Sequence, residues 1–169
     1  MNTAGARPHL IIGLALLVIC SAAAIAGFEI GNGKKLIKNT PGNYEIVIPD
    51  RLEVGFSNSF TEVIAPLFDG TPRAKLQVNL IKDDNIGNIS ELVNSVPNVS
   101  SWTQTTLAGF DGIRNEVVLP TKLHQIEYRI LFRAFEILVI NIEGIPGYSP
   151  KSTFETLQKS VETLKIKAK

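Results

Sequence analysis

The chain has 169 residues, 17 Lys and Arg against 16 Asp and Glu, and a single cysteine. A near-neutral balance with dispersed basic residues excludes the basic stripe of a nucleic-acid binder. One cysteine excludes an internal disulfide.

The first element in chain order is an uncharged run, LIIGLALLVICSAAAIAGF, from Leu10 to Phe28. As a helix rising about 1.5 Å per residue it spans roughly the hydrocarbon core of a bilayer. The pattern divides the chain into a short tail (1–9), a transmembrane anchor or signal helix (10–28), a linker (29–43) and one domain (44–169). A retained anchor is the expected reading, because the apolar stretch continues through Ile25 to Phe28. The alternative is cleavage at the small-x-small triplets Ala22-Ala23-Ala24 or Ala24-Ile25-Ala26. Cys20 lacks the small preceding residue of a lipid-modification site, having Ile19 there, and reads as a small apolar member of the helix.

Arg7 precedes the run, and Lys34, Lys35 and Lys38 follow it. Counted alone, that balance favours a cytoplasmic domain, but long domains translocate largely regardless of charge. An extracytoplasmic, single-pass arrangement is expected, or a secreted domain if the helix is removed.

Strand signals follow. Tyr44 to Ile48 alternates before the turn signal Pro49-Asp50. Leu52, Val54 and Phe56 share one face, and Leu76, Val78 and Leu80 another. Phe110 to Leu119 and Leu123 to Arg133 repeat the two-residue period. Phe135 to Ile142 is richer in apolar residues, which predicts a central strand.

Two segments read as helices. Ile89, Leu92, Val93 and Val96 recur at helical spacing before Pro97. Ser149-Pro150 reads as an N-cap and first helical proline, followed by the stripe Phe154, Leu157, Val161 and Leu164. Lys165, Lys167 and Lys169 form a basic tail that complements the helix dipole or meets anionic headgroups. The expected class is α+β: an antiparallel sheet covered by a C-terminal amphipathic helix, preceded by the N-terminal membrane helix.

The order of these pieces resembles the PsbP-like domains of the Mog1/PsbP-type α+β sandwich group. The likeness lies in Tyr44-Glu45-Ile46-Val47-Ile48-Pro49, in Ile89-Ser90-Glu91-Leu92, in the small-residue turn Leu107-Ala108-Gly109-Phe110-Asp111-Gly112, and in Phe135–Ile142 followed by Phe154–Leu164. The chain departs from that pattern after Pro49, where Asp50-Arg51-Leu52 replaces a Gly-Trp type turn. The resemblance implies a small exported or membrane-associated domain that assists larger assemblies without catalysis of its own.

No catalytic, cofactor-binding or metal-ligating constellation is expected. His124 is the only histidine beyond the membrane run, and one imidazole with no domain cysteine makes no zinc site. Asp83-Asp84-Asn85 lacks the spacing of a calcium loop and reads as a solvated helix entry. Neither a Gly-x-Ser-x-Gly elbow nor a phosphate loop is present. Trp102 is the single tryptophan, either core at a strand start or a contact for a partner. Asn88-Ile89-Ser90 and Asn98-Val99-Ser100 match the N-glycosylation triplet, with Asn98 the better acceptor because Asn88 starts a helix.

These signals point to a membrane-tethered, extracytoplasmic, non-enzymatic accessory domain acting on a protein partner. The alternatives are a small-molecule or lipid-binding module between sheet and C-terminal helix, and an anchored cytoplasmic regulator. An apolar pocket would favour the former alternative. An exposed apolar patch near Trp102, or on the open sheet face, would favour protein contacts.

Overall fold

The computed structural model describes residues 25–31, 33–57, 60–66, 72–145 and 153–167. Leu10 to Ala24 of the uncharged run, and the Ser149-Pro150 cap, lie outside the described residues.

Among the described residues, eleven strands form two antiparallel sheets. The smaller has the order β1-β2-β3-β11, built from Ile25–Gly31, Lys34–Asn39, Tyr44–Pro49 and Lys165–Ile166. The larger runs β4-β5-β6-β10-β9-β8-β7, from Glu53–Ser57, Phe60–Pro66, Pro72–Lys82, Glu136–Gly144, His124–Arg133, Phe110–Val118 and Trp102–Leu107. Two α-helices accompany them among the described residues, α1 (Ile89–Asn94) and α2 (Thr153–Glu162). The expectation of a mostly antiparallel, sheet-dominated fold with a C-terminal helix holds, but the single sheet expected is two. The apolar strand β10 is the central one of seven in the larger, as its composition predicts.

The main core lies between the two sheets and α2. Ile37, Ile46 and Ile48 of the small sheet meet Val63, Leu76 and Val78 of the large one. Leu157 and Val161 of α2 close the same cluster. The stripe Phe154, Leu157, Val161 and Leu164 is buried along its whole length, so the helical period read from the sequence is the packing face. Full burial of one such leucine is worth about 1.5–3 kcal/mol.

Two boundaries need correction. Lys34 to Gly42, expected as linker, forms β2 and its turn, and β2 pairs with β3 from Lys34↔Pro49 to Asn39↔Tyr44. Composition concealed this strand because its solvent side carries lysines while only Ile37 and Asn39 turn fully inward. Ile25 to Phe28, expected as the end of the membrane helix, pair with β2 as part of β1. The basic tail is likewise more than a solvated terminus. Lys165–Ile166 is the fourth strand of the small sheet, and Lys167 Nζ reaches Glu45 at 2.7 Å. That hydrogen-bonded ammonium holds the Glu45 carboxyl below its ordinary value.

A buried polar knot ties the sheets together. Asn39 Nδ2 donates to Tyr44 Oη at 3.1 Å and to Thr61 Oγ1 at 3.0 Å, and Tyr44 Oη donates to Thr61 Oγ1 at 2.5 Å. Asn39 Oδ1 accepts from the Gly42 amide at 2.7 Å, which fixes the β2–β3 turn. Gly42 is required there, because a Cβ would meet the Tyr44 ring at 2.5 Å.

On the opposite face of the large sheet, α1 lays Leu92 over Ile113 and Ile137. Asn88 Oδ1 accepts from the Glu91 amide at 3.0 Å and caps this helix, the role its position predicts. The β7–β8 hairpin turns on Ala108 and Gly109, with φ of 54° and 84°, between the paired Leu107 and Phe110. Two positive φ angles in a two-residue loop match the right-handed twist of a hairpin.

Two stability predictions follow from these contacts. Burial pushes the Tyr44 phenol from 10.0 up to about 12. Between those values the unfolded chain releases the proton and the folded chain keeps it, so stability is full below pH 10 and falls as pH rises toward 12. The loss is roughly 1.4 kcal/mol per pH unit inside that window. Urea unfolding at several alkaline pH values should show this slope in the parent chain and lack it in Tyr44→Phe, which is itself weaker at neutral pH by about 1–3 kcal/mol. Ala108→Gly should raise stability by about 0.5 kcal/mol, because alanine is strained at positive φ. An unchanged or lower melting temperature would contradict that account.

Candidate functional site

The face of the large sheet that carries α1 is only partly covered. Apolar residues under the helix, such as Ile137 and Val139 on β10, give way two residues later to Asn141. Because side chains alternate with period 2, the register then aligns a row of polar groups across the sheet. Glu62 on β5 faces Gln77 on β6, and Gln77 faces Asn141 on β10. Asn141 faces Glu127 on β9, Glu127 faces Asn115 on β8, and Asn115 faces Trp102 at the start of β7. Five amide or carboxylate side chains thus stand in line, ended by an indole, and all six residues are half-buried.

The row borders a groove of about 280 Å³ whose walls include Gln77, Asn115, Gln125, Glu127, Asn141 and Glu143. The charges within and beside it are held by neighbours. Gln77 Nε2 donates to Glu62 Oε1 at 2.8 Å, and Lys75 Nζ bridges to Glu143 at 2.7 Å. Arg129 Nε donates to Glu127 Oε1 at 2.6 Å while its guanidinium lies 5.3 Å from the centre of the Trp102 ring. One acid is thus clamped by an arginine that is itself stacked on the tryptophan, which sets the direction of both. Asn115 Oδ1 is out of solvent and has no hydrogen-bond partner among the described residues.

A second opening of about 220 Å³ lies beside α2, between Val47, Ile48 and Pro49 of β3 and Thr156 and Ser160 of the helix. Lys34 and Lys159 stand at its rim. It is a surface crevice; the interior between large sheet and helix is filled by Leu157 and its neighbours.

The residues singled out from sequence fall as follows. Trp102 sits half-buried at a strand start, packed on the smaller core and bounding the polar row. The open face beside it is polar, not the apolar patch that was the sign expected for protein contacts. His124, expected as an ordinary exposed strand position, is half-buried at the start of β9 and meets the Phe154 ring edge-on at 5.7 Å. Asp83 Oδ1 accepts from the Asn85 amide at 3.0 Å, a turn leading into α1. Among the described residues, no three His, Cys, Asp or Glu side chains converge as metal ligands. Asn98 is exposed at φ 52°, opening a short 3-10 turn. Among the described residues no helix is long and apolar enough to cross a membrane.

The polar row escaped the sequence because its members come from five strands spread between Glu62 and Asn141. The available signal was the switch, within single strands, from apolar to amide or acidic side chains on the outward positions of β9 and β10.

No protein-family model matches the chain, and no curated protein does. Among solved structures, it is similar to a crystallised protein from Bacteroides thetaiotaomicron, at 9% identity and a TM-score of 0.46, over 76% of this chain and 47% of that one. The chain therefore spans about half the length of that protein.

Proposed function

We propose that this chain is a non-enzymatic, extracytoplasmic accessory domain that docks a protein partner on the open face of its large sheet. The observation that carries the reading is the transverse row Glu62, Gln77, Asn141, Glu127, Asn115 and Trp102. Asn and Gln present donors and acceptors together, which suits hydrogen bonding to a peptide surface. Tryptophan and arginine stacked at one end are the residue types that anchor interfaces. Glu127 in the row and Glu143 beside it are paired with Arg129 and Lys75, which moderates the field there. Delivery across a membrane is the role given to the uncharged run, and an assisting, non-catalytic part in a larger assembly is what the PsbP-like resemblance implies.

A second reading, a small-molecule or lipid-binding module, draws on the crevice beside α2. Its apolar floor and the rim lysines Lys34 and Lys159 suit a small amphipathic anion.

A photo-cross-linking residue at Val117, exposed beside the row, should trap a discrete partner in intact cells, while one at Lys159 should not. Equal trapping at both positions, or none at Val117, would sink the docking reading, and selective trapping at Lys159 would favour the crevice. Asn115→Val separates binding from folding. Removing an unsatisfied buried oxygen should leave the melting temperature unchanged or raise stability by up to about 1 kcal/mol. The same change also removes the side-chain amide donor of Asn115, so it should cut cross-linking at Val117 by roughly tenfold.

A further inference from the structure

Strand β1 begins at Ile25 and pairs with β2 residue by residue: Ile25↔Asn39, Ala26↔Lys38, Gly27↔Ile37 and Phe28↔Leu36. A residue in a sheet ladder is not available to a membrane-spanning helix, whose backbone must bond within its own segment. Ile25 to Phe28 therefore belong to the domain, and the uncharged run left for the membrane is Leu10 to Ala24, 15 residues. At about 1.5 Å per residue that length rises about 22 Å, short of the ~30 Å hydrocarbon core. It equals instead the upper length of a signal-peptide apolar core, about 7–15 residues. Arg7 stands before it as the basic residue of such a leader. Ala22-Ala23-Ala24 closes it, small at each position immediately ahead of β1.

We propose that the Ala24–Ile25 peptide bond is the processing site of this chain, cut by a membrane-bound signal endopeptidase during export. Water adds across the amide. Ala24 leaves as the carboxylate end of the released leader, and Ile25 takes the new amino group. The alternative triplet, Ala24-Ile25-Ala26, would direct the cut after Ala26 and strip the pairs to Asn39 and Lys38 from an edge strand. Cutting after Ala24 keeps β1 whole. The proposal rests on the reading that the run directs export, and it replaces a retained anchor by a released domain.

The test is production of the full chain in a bacterium with an active secretion pathway, followed by terminal sequencing of the recovered protein. Ile25 is expected as the first residue, in the soluble extracytoplasmic fraction. Ala24→Leu lies outside β1 and puts a bulky residue beside the bond, so it should lower the processed fraction roughly tenfold and hold the chain at the membrane. Recovery of the parent chain with its original N-terminus, a first residue at Gly27, or undiminished processing of Ala24→Leu overturns the proposal. Protease added outside the cell separates the two layers of the argument. An uncut chain digested from outside ends the processing site but keeps export, and an uncut chain protected inside ends both.

Discussion

The structure depends on a small polar cluster inside an otherwise apolar core. Asn39, Tyr44 and Thr61 come from β2, β3 and β5, so their hydrogen bonds cross from the small sheet to the large one. Such groups are tolerated in an interior only when satisfied, since an orphaned one costs about 1–3 kcal/mol. That requirement makes the knot a register pin. A slip of β2 or β5 by one residue would turn Asn39 or Thr61 away from the core and leave the Tyr44 hydroxyl unpaired. Hydrophobic contact alone would let the two sheets slide; directional bonds allow one arrangement.

With that docking set, the large sheet has one face committed to the main core and a second face to share. The short helix α1 covers the end of it where Ile81, Ile113 and Ile137 emerge. Six residues of helix are too few to cover a seven-stranded sheet, and the groove left on that face is lined mainly by polar side chains. The change from Val139 to Asn141 on one strand marks the line between packing and display. The proposed docking row is thus a consequence of how little helix the fold supplies on that side.

Legibility in the sequence followed local periodicity. β8 and β9 alternate over nine and ten residues, β10 is a nearly continuous apolar run, and α2 carries a clean stripe, so each was readable. β2 was not, because a strand with one solvated face and interspersed lysines looks like a linker. β5 was not, because Phe60, Thr61 and Glu62 place a buried threonine where an apolar residue marks a strand. That threonine is explicable only by its partners Asn39 and Tyr44, far away along the chain. β1 was absorbed into the apolar run, whose composition suits a membrane helix and a strand equally.

By itself the sequence determined the kind of its strongly periodic elements, the apolar face of each, the turn at Ala108-Gly109, and the uncharged run from Leu10 to Phe28. These are properties of residues within a few positions of one another, where propensity and spacing act. Tertiary structure alone decided the second sheet, the inward polar knot, and the alignment of Glu62, Gln77, Asn141, Glu127, Asn115 and Trp102 in a single row. Those depend on strand order and register, set by long-range pairing and burial, which no local window of the chain contains.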